Sequence, residues 1–168
     1  MFGLPDPRTV GSNNAGATNV LRIGGKKLAI MTLFADALKG FLPVFLMIIL
    51  KMSLLEATLV LFAALLGHIY PIFFGFRGGK GVATFLGGLL ALNYFVGLIF
   101  IAVWLFVAKI LKISSLSALI ATAITPLFIY FIIADVEIVI LNVLIGCLIF
   151  WTHRSNIRRL FDKEETKI

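Results

Sequence analysis

The sequence predicts an all-α protein, a polytopic membrane helix bundle of about six helices, one of them short. Two observations carry that expectation. Mean hydropathy is +1.09, with 61% hydrophobic and only 14% charged residues, whereas soluble domains carry about a quarter charged. Apolar runs near the roughly 20 residues that cross a hydrocarbon core also recur along the chain. At 168 residues there is room for one bundle and no soluble domain, so residues 1–168 read as a single integral membrane domain. The opening Met1 to Pro5 has neither a basic start nor an apolar run, so no signal peptide is expected there.

Apolar runs between charges and breakers predict helices over 28–50, 54–73, 113–134 and 136–152. The run 82–110 is ambiguous, since as one helix it would be about 43 Å long, too long for a core of about 30 Å. Charge resolves it. A turn near Asn93 between a short helix and a second one puts every Lys and Arg except Lys39 and Lys51 on the side of residues 1–27. The positive-inside rule makes that side cytoplasmic. The acidic turn Asp135 to Glu137 then lies outside. The net charge of +7 thus reports orientation, and no nucleic-acid partner is expected.

Within the first helix Asp36 and Lys39 are spaced i, i+3, and a charge near mid-bilayer costs at least about 3 kcal/mol. They are expected to face the bundle interior as a pair, either bracing the structure or taking part in a site. The single Cys147 sits in an apolar run, where a packing role is expected rather than a nucleophilic one.

Three polar segments collect on the basic face. The first is GSNNAGATNVLR, Gly11 to Arg22, too polar for a bilayer and too poor in branched residues for a core. The second is GHIYPIFFGFRGGKGVAT, Gly67 to Thr84, in which glycines, Lys80 and a helix start at Val82 resemble a phosphate cradle. It is not a Walker A loop, because Phe74 and Gly81 stand where that loop needs Gly and Ser or Thr. The third is HRSNIRRLFDKEETK, His153 to Lys167, where His153 and Asn156 at i, i+3 are expected on one face at the end of the last helix.

Together these segments resemble the three ordered motifs of the bacterial acyl-phosphate-dependent glycerol-3-phosphate acyltransferases, the PlsY family. The first is similar to the family's GSGN-x-GATN-x-x-R. The stretch Asp36 to Gly40 and Ser115 with Leu116 also resemble family positions. The resemblance implies a seven-helix fold with its site open to the cytoplasm of a bacterial plasma (inner) membrane. It implies no metal or coenzyme, and as partners glycerol 3-phosphate, long-chain acyl phosphate and membrane lipid. The implied reaction moves a fatty acyl group from acyl phosphate to the 1-hydroxyl of glycerol 3-phosphate, giving lysophosphatidic acid and phosphate. Relative to the family, the chain begins about where an additional first helix would end, and Asn13 and Lys163 replace usual glycines.

On that reading Ser12, Asn14, Thr18 and Asn19 supply neutral donors around an anion, and the planar fork of Arg22 adds a bidentate cation. Lys80 with the amides of Gly78, Gly79 and Gly81 is expected to hold a second phosphate. His153 or Asn156 is expected to position the acceptor hydroxyl, with either His153 or a substrate phosphate oxygen taking its proton. His68 is expected to brace the second segment. Ser115 and Glu165 follow from the resemblance, Glu165 as a local salt-bridge partner. A His-x4-Asp acyltransferase is excluded, since Phe73 and Arg158 stand at the Asp position after His68 and His153. A transporter or channel for an organophosphate anion is the rival of a different class, with Asp36 and Lys39 marking its path.

Overall fold

The run 82–110 breaks where the charge pattern requires. Asn93 closes one helix and caps the next, its side-chain oxygen accepting from the amides of Phe95 (3.0 Å) and Val96 (3.3 Å). The computed structural model describes residues 3–167; Met1 and Phe2, part of the opening read for a signal peptide, and Ile168 lie outside the described residues. Among the described residues the helices are α1 (Ala17–Ile49), α2 (Leu54–Ile69), α3 (Val82–Leu92), α4 (Tyr94–Leu111), α5 (Ser114–Ile132), α6 (Val136–Thr152) and α7 (Arg154–Phe161). Four segments are long and apolar enough to cross a membrane, α1, Leu54–Phe74 (α2 with the turn after it), α4 and α5, with the bent pair α6 and α7 as a fifth, while α3 is short.

Three boundaries differ from expectation. Helix α1 begins at Ala17 rather than 28, so the second half of the first polar segment is helical. The helix breaks at Gly25, whose φ of 77° and ψ of 178° suit glycine, and an apolar segment continues from there. Helix α2 stops at Ile69 rather than 73 because Pro71 disfavours helix in the residue before it; a single 3-10 turn, Ile72–Phe74, follows. The last helix does not run through His153: α6 ends there, and α7 leaves at an angle of 63° as an amphipathic surface helix.

Ends are capped by local chemistry. Ser53 and Glu56 form a reciprocal capping box at α2, and Asp135 accepts from the amides of Glu137 and Ile138 at α6. Asn13 and Lys163, expected to differ from glycines, both adopt left-handed backbone (φ 54° and 59°). That is the conformation glycine would favour, and asparagine tolerates it well.

The core centres on Leu61 and Leu65 of α2, Phe85 and Leu89 of α3, Phe100 of α4, Ala121 and Ile129 of α5, and Ile138, Ile145 and Ile149 of α6. Helices α1 and α3 approach backbone to backbone. A Cβ on Gly87 would lie 2.7 Å from the Ala37 carbonyl carbon, and one on Gly40 would lie 2.9 Å from that of Thr84. Small residues at such a crossing are how membrane helices gain contact without a hydrophobic driving force. Gly87→Ala is therefore expected to cost about 1–3 kcal/mol by overpacking. Thermal unfolding in detergent checks this, with Gly67→Ala, whose Cβ meets nothing within 4 Å, as the control expected to keep its melting temperature.

Cys147 lies exposed on the outside of α6, outside both cavities.

Candidate active site

Asn19 organises the first polar segment. Only 1% exposed, its side-chain nitrogen donates to the carbonyls of Pro7 (2.8 Å), Val10 (3.0 Å) and Asn14 (3.0 Å), and its oxygen accepts from the Ser12 amide (3.0 Å). This corrects the expectation that Asn19 offers a donor to an anion, because its donors are spent on backbone. Its effect is to fold residues 7–14 into a rim that presents Ser12, Asn14 and Thr18 to a cavity of about 360 Å³.

That cavity has two halves. The polar half holds Ser12, Asn14, Thr18, Arg22, Lys80, Ser115, His153, Asn156, Arg159 and Glu165; the apolar half holds Leu33, Leu86, Phe100, Ile101, Trp104 and Leu105. Ser114, which the sequence reading passed over, joins the polar half and pairs its hydroxyl with Thr18 at 3.1 Å. Arg22 reaches in from α1 and donates through Nη2 to the Thr166 hydroxyl at 2.7 Å.

A chain of hydrogen bonds fixes the cationic end. Lys80 Nζ donates to Asn156 Oδ1, and Asn156 Nδ2 donates to Glu165 Oε1 at 2.6 Å. Ser115 donates to the same oxygen (2.8 Å), and Arg159 Nε pairs with the other carboxylate oxygen at 2.7 Å. Thr152 donates to the Lys80 carbonyl at 3.0 Å, tying the second segment to the end of α6. Burial, with Arg159 and Arg22 nearby, pushes the Lys80 ammonium down to about 8, against the opposing pull of Glu165. Burial pulls the Glu165 carboxyl upward, but the hydrogen bonds from Asn156, Ser115 and Arg159 together hold it below its ordinary value. Lys80, Arg22 and Arg159 around Glu165 leave this end of the cavity positive, since the other lining carboxylate, Asp36, is paired with Lys39.

His153 is buried at the junction of α6 and α7. Its Nδ1 lies 2.8 Å from the Ile149 carbonyl, which only accepts, so the proton sits on Nδ1 and Nε2 keeps its lone pair. Burial and Lys80 push its pKa down to about 4, so the ring is neutral. The break in the helix gives His153 and Asn156 separate supports, where one continuous helical face was expected.

Asp36 and His68 also line this cavity, and with Lys39 outside it they form a second polar cluster. Lys39 Nζ donates to Asp36 Oδ1 at 2.7 Å, and His68 Nδ1 lies 3.6 Å from the same oxygen. Asp36 is buried, but the Lys39 side chain is 55% exposed, so only one member of the expected inward-facing pair points inward. Thr84 donates to the Asp36 carbonyl at 2.9 Å, locking α1 to α3.

The glycine-rich segment is divided. Lys80 and Gly81 line the main cavity, whereas Gly78 and Gly79 line a second one behind it. The Gly78 amide is taken by the Ile69 carbonyl at 3.1 Å. A Cβ on Gly79 would stand 2.9 Å from His68 Cε1. The expected single cradle of Gly78 to Gly81 is therefore not formed, because the loop turns edge-on between the two cavities. Among the described residues no three His, Cys, Asp or Glu side chains stand together as metal ligands.

A family model described as glycerol-3-phosphate acyltransferase matches residues 1–163. A glycerol-3-phosphate acyltransferase of Ruthia magnifica subsp. Calyptogena magnifica is 58% identical over 168 residues, covering 100% of this chain and 85% of that protein. One from Thioalkalivibrio sulfidiphilus is 52% identical, covering 100% and 83%. The fold matches the crystal structure of PlsY (YgiH), an integral membrane glycerol 3-phosphate acyltransferase, in its glycerol 3-phosphate form. The TM-score is 0.93 at 40% identity, over 98% of this chain and 82% of that one. Its lysophosphatidic acid form matches at a TM-score of 0.89 and 39% identity, over 94% and 81%.

Proposed function

Because the chain belongs to the glycerol-3-phosphate acyltransferase family, we propose that it takes its acyl group from acyl phosphate. The acyl group passes to the 1-hydroxyl of glycerol 3-phosphate, giving lysophosphatidic acid and inorganic phosphate. The observation that carries this reading is one cavity whose cationic end adjoins an apolar half. A donor with a phosphate head and an acyl tail fits across it, and a small phosphate-bearing acceptor fits beside the head.

In this reading Arg22 and Ser12 hold one phosphate and Lys80 the other, through charge-assisted hydrogen bonds. Asn156 orients Lys80 rather than the hydroxyl. The acyl chain lies along Leu33, Leu86, Phe100 and Trp104. Acyl phosphate is already activated, so a protein nucleophile is unnecessary; catalysis consists of alignment, worth up to about 7–11 kcal/mol, and of stabilising the oxyanion and departing phosphate.

The proton has two candidate acceptors. His153, at about 4, is a weaker base than a phosphate oxygen with a second pKa near 6. The His153 Nε2 lone pair therefore orients the hydroxyl, and the phosphate oxygen takes the proton as the hydroxyl oxygen bonds to the acyl carbon and the acyl–phosphate bond breaks. The basic face, by the positive-inside rule, lies on the cytoplasmic side of a bacterial inner membrane, where the soluble acceptor arrives. Residues 1–168 act as one domain.

Phosphate release by purified protein given palmitoyl phosphate is the test. Release is expected only when glycerol 3-phosphate is also present, and Arg22→Ala should reduce it roughly a hundredfold or more, as for loss of a bidentate cation on phosphate. Release without acceptor, or an Arg22→Ala variant at wild-type rate, would sink this assignment.

A further inference from the structure

Behind the Gly78–Lys80 segment lies the second cavity, of about 420 Å³. Arg8, Lys39, Arg77, His68 and the Gly78–Gly79 backbone line it, and His68 is the one lining residue it shares with the cavity assigned to the reaction. Its polar groups are underused. The Arg8 guanidinium stacks on the Phe74 ring at 4.3 Å. Its Nε is buried and lies 3.2 Å from Asp6 Oδ1, yet in a geometry that makes no hydrogen bond. Arg77 forms no ion pair among the described residues, and Lys39 spends only one of its three donors, on Asp36. The Gly79 amide makes no hydrogen bond among the described residues. Against these three cations the adjoining carboxylates are Asp6, at Arg8, and Asp36, at Lys39.

The rim says where the occupant comes from. The turn from Ile72 to Phe76 presents Ile72, Phe73 and Phe76 outward, 74%, 95% and 61% exposed. In a chain that spans a membrane, exposed Ile and Phe side chains of this kind dip toward the acyl region at the headgroup boundary, with flanking cations at headgroup depth. We propose that this cavity takes the phosphate group of an anionic phospholipid from the leaflet at the basic face. The glycerol backbone and acyl chains of the lipid lie against the Ile72–Phe76 turn. Arg8 and Arg77 clamp the phosphate from two sides, as forked guanidinium groups do, and Lys39 and the Gly79 amide face it from behind. The bound lipid touches His68 and the segment that leads to Lys80, which places it against the back wall of the reaction cavity. The site stands independently of the donor assigned above.

Native mass spectrometry of the full chain in neutral detergent tests this, with saturating glycerol 3-phosphate occupying the reaction cavity. Phosphatidylglycerol and phosphatidylcholine are supplied at equal concentration. A retained phosphatidylglycerol adduct is expected, falling roughly tenfold in Arg77→Gln and in Arg8→Gln as one charge-assisted contact is lost. Arg77 is exposed and only its backbone amide is hydrogen-bonded, to the Phe74 carbonyl, so Arg77→Gln keeps the question answerable if the Arg8 variant fails to fold. Equal retention of the two lipids, or retention unchanged in Arg77→Gln, overturns the proposal. Loss of the adduct on adding millimolar inorganic phosphate also overturns it, assigning the cavity to the free anion.

Discussion

Lys80→Ala is expected to lower kcat/KM by about a thousandfold, the scale of losing a preorganised donor worth about 3–4 kcal/mol at developing charge. Lys80 is the best-held cation of the reaction cavity: its ammonium is seated on Asn156 and its carbonyl on Thr152. Its pKa of about 8 instead of 10.5 adds a pH signature. Phosphate binding needs the protonated form, so kcat/KM, which reports the free enzyme, should fall as pH rises through about 8. Stability runs the other way. Between about 8 and 10.5 the unfolded chain holds this proton and the folded one does not, so unfolding takes up a proton and stability rises with pH across that window. Lys80→Arg keeps its charge throughout, and its residual activity should lack the descending limb. Activity of Lys80→Ala within threefold of wild type would remove Lys80 from the reaction.

Much of this was legible in the sequence because hydrocarbon thickness and charge asymmetry constrain a short chain severely. The turn at Asn93 follows from length and from the placement of Lys109 and Lys112, and the cap by the Asn93 side chain supplies its local cause. The helical half of the first segment was hidden because hydropathy marks what lies in lipid, and Ala17 to Gly24 is a polar helix. The break at His153 was hidden for the opposite reason: α6 and α7 join without proline or glycine, and the bend is held by tertiary contacts such as Thr152 to Lys80. Side-chain roles were least legible. Asn19 looks like an anion donor by type, and only three-dimensional accounting of its bonds assigns it to the loop. Ser114, Arg159 and Thr166 carry no motif signal that distinguishes them from neighbouring polar residues; the seating of Glu165 brings Arg159 and Thr166 to the cavity.

Glu165→Ala should cost both fold and activity, and Glu165→Gln should separate the two. With its side chain only 6% exposed, Glu165 accepts from Ser115, Asn156 and Arg159 at once. Removing it strands those donors, each at about 1–3 kcal/mol if buried, and frees the tail from the cavity mouth. A clear drop in melting temperature and a loss of kcat/KM of about a hundredfold are expected, as for a misplaced catalytic group. The wild-type carboxyl is held below its ordinary pKa, so its stabilisation is present above that range and is lost as pH falls through the folded value. Glutamine keeps an acceptor oxygen for part of this network but removes the charge. Glu165 is the one group raising the Lys80 pKa against burial, Arg159 and Arg22. In Glu165→Gln the descending limb of kcat/KM should therefore move below the wild-type position near 8, in a protein that remains folded. A limb that stays where it was would show that the carboxylate does not govern the charge on Lys80. The chain from Glu165 through Asn156 would then be a structural clasp on the tail, with no electrostatic share in the reaction.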